Sequence, residues 1–274
     1  MEKLIIELAP TGMVPTKADN PHVPITPEEI VSDTYEAYKL GASIVHVHAR
    51  QDDGTPTCSA GIYGEIFAGI RKRCPGMIIC ASTSGRVIRD LDKRAEVLSL
   101  DPDMASLTPG TVNFHRSPSY NSIDDVIRLA SIMRDRCIRP ELEIFEPGFV
   151  NTTKYLLKKG YITPPLHFNL LMGSLGSISA DMRDLVYLVE SLPEPNTWTA
   201  AGIGRYQLQV NAAAILMGGH VRVGLEDAIY YDHSRKEHAT NGQLVRRIVR
   251  LAGELGREIA SPEDARRILG LART

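Results

Sequence analysis

The chain has 274 residues, 43% of them hydrophobic and 23% charged, with a formal net charge of −2. That is the profile of an ordinary globular protein with a sizeable core. The charge argues against a large nucleic-acid surface, and no apolar run approaches the roughly 20 residues of a membrane span.

Met1-Glu2-Lys3 carries no signal-peptide pattern and leads into Leu4-Ile5-Ile6-Glu7-Leu8-Ala9, a first strand ended by Pro10-Thr11-Gly12. A proline-rich loop runs to Pro24. Thr26-Pro27-Glu28-Glu29 is a helix start, with threonine as cap, proline at the first helical position and Glu29 placed for a capping box. This helix runs to Leu40, and Gly41 stops it. Val45-His46-Val47-His48-Ala49-Arg50 reads as a buried second strand, followed by turn chemistry in Gln51-Asp52-Asp53-Gly54-Thr55-Pro56. A helix over Ala60–Arg73 precedes the strand Met77-Ile78-Ile79-Cys80-Ala81. A short helix over 90–99 precedes the strand Met104-Ala105-Ser106-Leu107. Helix 122–136 leads to Glu141-Leu142-Glu143-Ile144-Phe145, and a helix through Lys159 leads to Leu166-His167-Phe168-Asn169-Leu170-Leu171. Helix 181–192 precedes Thr197-Trp198-Thr199-Ala200-Ala201, and helix 204–217 precedes His220-Val221-Arg222-Val223. Helices over 241–256 and 262–270 end the chain. Cys58, Cys74, Cys80 and Cys137 form no CxxC pair and read as reduced thiols of a cytoplasmic protein.

Eight strands, each followed by a helix, predict a parallel sheet. At this length the closed (β/α)8 TIM barrel is favoured over an open doubly wound sheet, as one domain over 1–274. No GxGxxG follows the first strand, and Gly202-Ile203-Gly204-Arg205 is only a weak phosphate-loop signal.

Chemistry on such a barrel sits at the C-terminal ends of the strands. Those ends carry Glu7, His46, His48, Ser82, Ser106, Glu143, Asn169 and the group Arg222, Glu226 and Asp227. His46 and His48 point to one side of their strand, about 7 Å apart at the Cα level, and can reach one metal ion. The alternative is a pair of strand histidines hydrogen-bonded to neighbours. Glu226 can approach them across the barrel mouth. Two adjacent carboxylates, Glu226 and Asp227, need a charge partner if buried, and Arg222 is at hand. The serines could instead cap helices, and Glu143 could be a salt bridge inside the barrel. His167 and His220 begin their strands, at the wrong end for the same metal, and Cys80 reads as core.

These residues resemble the β-keto acid cleavage enzymes. The matching segments are Pro24–Glu29, His46-Val47-His48, Ser82-Thr83, Met104–Leu107, Gly202–Arg205 and Gly218–Asp227. The resemblance implies a zinc-dependent barrel enzyme, a homotetramer, that uses acetyl-CoA to convert a β-keto acid into acetoacetate and a new acyl-CoA. His46, His48 and Glu226 match the zinc ligands, Arg222 and Asp227 the proton-transfer pair, and Ser82 an active-site hydroxyl. Ser106 stands where a family member has threonine, and Glu143 matches an acidic strand position. Val14 replaces a glutamate that meets the substrate ammonium in the aminohexanoate enzyme, and Thr108 replaces an asparagine. Val14 therefore points to a neutral substrate tail. Arg86 is the counter-argument, since a guanidinium there could bind a second carboxylate, a coenzyme A phosphate or a surface acid. Arg222 is expected to lower the pKa of Asp227 and weaken it as a base. The competing readings are a zinc hydrolase using metal-activated water and a non-catalytic metal-binding protein.

Overall fold

A computed structural model describes residues 1–115 and 117–271; the expected domain span, 1–274, also takes in Arg116 and residues 272–274, which lie outside the described residues. Along the chain come β1 (Ile6–Leu8), α1 (Pro27–Leu40), β2 (Ile44–Val47), β3 (Ala49–Arg50), β4 (Pro56–Thr57) and α2 (Ala60–Arg73). Then follow β5 (Ile78–Ala81), α3 (Leu91–Ala95), β6 (Met104–Leu107), α4 (Ile123–Asp135), β7 (Arg139–Ile144) and α5 (Pro147–Lys158). The last elements are β8 (Leu166–Met172), α6 (Met182–Ser191), β9 (Asn196–Gly202), α7 (Gln207–Leu216), β10 (His220–Val223), α8 (Asn241–Glu254) and α9 (Pro262–Leu269).

Eight of the strands close into a barrel in the order β1-β2-β5-β6-β7-β8-β9-β10, and β10 pairs again with β1. Every neighbouring pair is parallel. This is the expected (β/α)8 barrel. The helix starts follow the sequence signals: Thr26 and Glu29 form both halves of a capping box, and Gly41 closes α1 in the left-handed conformation.

One expectation is corrected. The second strand stops at Val47; Ala49–Arg50 belongs to a separate two-stranded hairpin with Pro56–Thr57. The hairpin forms because the turn residues fold the chain back, Gln51 N–H donating to Thr55 O at 2.8 Å.

Strand alternation divides the side chains into two sets. Ile6, Leu8, Val45, Val47, Ile79, Ala81, Ala105 and Leu107 face outward and pack with the helices in the main core. Ile5, Ile44, Ile78, Cys80 and Met104 form a second cluster closed by Ala265 and Leu269 of α9. Above this plug the inward positions turn polar, which confines the chemistry to the upper half of the barrel.

His220 and His167 sit low in the barrel, as their positions at strand starts imply. His220 Nδ1 accepts the Ile5 N–H at 3.1 Å, so the folded state needs the neutral ring. Burial first, then the charges of His167 and Arg257, push His220 down to about 3. The Glu2 carboxylate, 3.8 Å from Nε2 and half exposed, does not offset this. Below the ordinary histidine pKa the unfolded chain gains a proton that the folded one refuses. Stability is therefore full above pH ~6.5 and falls as the pH is lowered toward 3, by about 1.4 kcal/mol per pH unit for one such histidine. Urea unfolding across pH 7 to 4 checks this. His220→Asn, whose amide oxygen can take the Ile5 N–H, flattens the slope; an unchanged slope would rule His220 out.

Candidate active site

His46 and His48 leave β2 with both rings on the inner side, their Nε2 atoms 3.3 Å apart. Glu226 Oε1 lies 3.2 Å from His48 Nε2. Glu226 does not reach across the mouth. It arrives from the near side, because β10 is separated from β2 only by β1. The chain leaving β10 stays stitched to the end of β1: Ala9 N–H donates to Val223 O at 2.8 Å, and Glu226 N–H to Ala9 O at 3.2 Å. Gly224, at φ +156, makes that contact possible, since a Cβ there would lie 1.9 Å from Ala9 O.

The three groups fit a metal ion. Ligands held 2.0–2.1 Å from a tetrahedral ion lie roughly 3.3 Å from one another. The two separations above match that edge, and all three ligand atoms fall within 4.8 Å of one another. Glu226 Oε2 is buried without a hydrogen-bond partner, so it too is available.

Arg222, inward on β10 and 1% exposed, holds the two adjacent carboxylates. Its Nε donates to Asp227 Oδ2 at 2.9 Å and its Nη2 to Asp227 Oδ1 at 3.1 Å. Nη2 also lies 2.9 Å from Glu226 Oε1. Nη1 points toward Glu143, 3.9 Å away, and has no hydrogen-bond partner. Glu226 sits well below the ordinary carboxylate pKa: burial raises it, but His48, Arg222 and His46 outweigh burial. Asp227 goes the other way, raised by burial beyond what Arg222 can offset. Arg222 does lower Asp227 as expected, but burial outweighs it and the net shift is upward.

In the buried layer beneath the histidines, Glu141 escaped the sequence reading. Glu141, inward on β7, accepts from His46 Nδ1 at 3.1 Å, from Cys80 Sγ at 3.3 Å and from Asn169 Nδ2 at 3.1 Å. That bond fixes the tautomer of His46 and leaves Nε2 for the mouth. Burial and the neighbouring Glu141 push Glu7 well above the ordinary carboxylate range. Glu141 itself is lowered, its bond to His46 overcoming burial. The signal was present: Glu141 stands two residues before Glu143 and so on the same strand face.

The mouth opens into a cavity of about 420 Å³ lined by His48, Ser82, Glu143, Arg222, Glu226 and Asp227. Val14, Arg86 and Thr108 are also on its wall. The Arg86 guanidinium stacks 4.3 Å over Phe114, and the Thr108 hydroxyl donates to Glu143 at 2.6 Å. Ser82 Oγ accepts from the Ser84 N–H at 3.3 Å. Ser106 is different. It does not line the cavity, and its hydroxyl takes the Thr83 N–H at 3.0 Å, bracing the loop after β5.

The beta-keto acid cleavage enzyme profile matches residues 3–271. The chain belongs to that family. It is 46% identical over 273 residues to a 3-keto-5-aminohexanoate cleavage enzyme of Fusobacterium nucleatum, covering 99% of each chain. It is 40% identical to a 3-oxoadipate:acetyl-CoA acetyltransferase of Cupriavidus necator, covering 97% of this chain and 94% of that one. The apo structure of ObcA shares the barrel, with a TM-score of 0.80 at 22% identity over 92% of this chain and 66% of that one. Membership in a β-keto acid cleavage family disfavours the hydrolase reading and the non-catalytic one. No helix among the described residues is long and apolar enough to cross a membrane.

The cleavage-enzyme site is also held from its outer side. Buried Arg50 donates from Nε to Gly12 O at 2.7 Å, from Nη2 to Pro15 O at 3.0 Å and from Nη1 to Gly54 O at 2.7 Å. Gly12, at φ +66, packs so closely on Glu226 that a Cβ would lie 2.5 Å from its Cγ. Arg50→Met removes these bonds and leaves three carbonyls unpaired, a loss of about 2–4 kcal/mol. Urea unfolding measures the loss, and hydrogen exchange should show faster amides over residues 11–16. Unchanged exchange there would show that Arg50 does not hold the loop.

Proposed function

We propose that the protein is a single-domain, zinc-dependent acyltransferase that converts a β-keto acid with a neutral side chain, plus acetyl-CoA, into acetoacetate and a new acyl-CoA. The observation that carries this reading is the convergence of His46, His48 and Glu226 beside the Arg222–Asp227 pair at the C-terminal mouth of the barrel. The reading carries with it a homotetramer acting in the cytoplasm.

His46, His48 and Glu226 would hold the ion, and two imidazoles with one carboxylate suit zinc. Bound there, it supplies Lewis acidity to the oxygens of the β-keto acid. Asp227, its pKa raised by burial, takes the C2 proton. Arg222 orients both oxygens of Asp227 through its fork. The C2 carbanion equivalent attacks the acetyl carbonyl and releases coenzyme A thiolate. The thiolate then attacks the original keto carbon, the C2–C3 bond breaks, and the electron pair stays on C2. Protonation of C2 by Asp227 completes acetoacetate and restores the base. The Ser82 hydroxyl, on the cavity wall, donates to the substrate carboxylate or to the developing oxyanion. Thr108 fixes Glu143 facing Arg222 Nη1, which keeps that side of the guanidinium toward the cavity.

The tail of the substrate lies against the wall that carries Val14, Phe114, Phe145 and Leu171. This lining is apolar, and an ammonium placed there would be desolvated without the counter-ion that a glutamate at position 14 supplies. The named relatives act on an amino-substituted and a dicarboxylic keto acid. Tail choice therefore varies around one reaction, and Val14 supports a neutral tail here.

Two measurements test the proposal. His46→Ala should lose bound zinc, measured on the purified protein by elemental analysis. Asp227→Asn should keep fold and zinc but lose turnover by about 100-fold or more, because an amide accepts no proton at this pH. Wild-type rates in Asp227→Asn would remove it as the base. Substrate class is read by assaying a short apolar β-keto acid, 3-keto-5-aminohexanoate and a β-keto diacid side by side with acetyl-CoA. The apolar acid should have the highest kcat/KM. A preference for the diacid that Arg86→Ala abolishes would overturn the neutral reading. So would a preference for the amino acid, with Asp19, on the same wall, as the counter-ion to examine.

A further inference from the structure

The loops after the seventh and eighth barrel strands, β9 and β10, carry a set of cations that the chemistry above does not use. Gly204–Tyr206 forms a short 3-10 turn between β9 and α7. It is tied to the other loop by the Gly204 N–H, which donates to Asp227 O at 2.7 Å. The loop after β10 is shaped at its tip by Asp232. One carboxylate oxygen takes the Lys236 and Glu237 N–H groups at 2.8 and 2.7 Å, and the other takes the Ser234 hydroxyl. This tip sets Arg235 beside Gly204, with Nη2 3.6 Å from where a Cβ on that glycine would lie. Arg205 and Arg235 both line the main cavity. Next to it is a second hollow of about 100 Å³, which shares Arg205, Tyr230 and Asp232 with the first and adds Arg247 and His233.

Arg247 is 6% exposed. It donates to Tyr231 O at 2.7 Å and stacks on the Tyr231 ring, and its Nε has no hydrogen-bond partner. Among the described residues, no carboxylate lies within 4.0 Å of Arg205, Arg235 or Arg247. A buried guanidinium without an acid beside it is costly, and an anionic ligand relieves the cost. Loops after strands seven and eight, with a short helix between, are also where (β/α)8 barrels most often bind phosphate.

We propose that these two loops form a phosphate subsite, with Arg205 and Arg235 at the cavity rim and Arg247 behind them. The subsite takes the phosphorylated nucleotide end of coenzyme A while the thioester end reaches the cavity floor. The inference rests on the acetyl-CoA reading above: a β-keto acid and its products carry no phosphate, and the acyl donor carries a pyrophosphate and a 3′-phosphate.

The test compares acetyl-CoA with acetyl-pantetheine, which has the same thioester and no phosphate, in wild type, Arg205→Ala, Arg235→Ala and the double variant. The double variant should raise KM for acetyl-CoA by about tenfold or more, with kcat within about twofold and KM for acetyl-pantetheine unchanged. Calorimetry with coenzyme A alone should show the same loss of affinity, together with a strong salt dependence in wild type that the double variant lacks. An unchanged KM for acetyl-CoA, or an equal rise for both thioesters, overturns the subsite. If wild type turns over neither thioester, the proposed function fails, and calorimetry then decides the subsite separately. Arginine-dependent coenzyme A binding upholds it, and the absence of binding overturns it.

Discussion

Arg222 is the cation around which the upper barrel is arranged. It is fully enclosed, yet it meets Asp227 through two hydrogen bonds and Glu226 through a third contact, with Glu143 just beyond. Two neighbouring carboxylates cannot be buried side by side in ionised form without such a partner. Because Arg222 is anchored on β10, a strand paired on both sides, the positions of both acids inherit the stiffness of the barrel. The two acids then diverge in character through their other neighbours. Glu226 gains the histidines and is held low, whereas for Asp227 burial and the Glu226 charge outweigh Arg222 and His46. One fork thus holds two consecutive carboxylates of opposite pKa shift.

Below that level the barrel interior is arranged around Glu141, which accepts from His46, Cys80 and Asn169. Burial and Glu141 push the Glu7 carboxyl well above the usual range, and Glu141 accepts a hydrogen bond from His46 Nδ1. The floor is polar and buried, and the apolar plug of Ile5, Ile44, Ile78 and Met104 seals it from the other end. Reactivity is directed upward, since His46 Nε2 is the ring nitrogen turned to the mouth.

Most of the fold was legible because it depends on local signals. The capping box at Thr26 and Glu29, the stop at Gly41 and the alternation of strands with helices all operate within a few residues. His46 and His48 were legible for the same reason, as was the charge partnership of Arg222 with the two acids that follow it. The break after Val47 was not, because the run Val45–Arg50 alternates apolar and polar residues throughout. Only the pairing of Ala49–Arg50 with Pro56–Thr57 ends the barrel strand there. Glu141 was hidden because its value depends on His46, 95 residues away in the chain. The approach of Glu226 was misjudged because barrel closure, which sets β1 between β10 and β2, is a global property. The direction of the Asp227 shift was misjudged because burial depth, not the neighbouring arginine, decides it.

The Arg50 clamp has an evolutionary consequence. Gly12, Val14 and Pro15 lie on one short stretch of backbone whose carbonyls, at Gly12 and Pro15, are tethered by the same guanidinium. Val14 between them is 42% exposed, and its side chain is the part of the stretch least engaged in that tethering. Position 14 is therefore a replaceable tip on an immobile mount. A lineage can exchange valine for an acid or a larger apolar group there and reshape that part of the cavity wall, while Gly12 stays packed on Glu226.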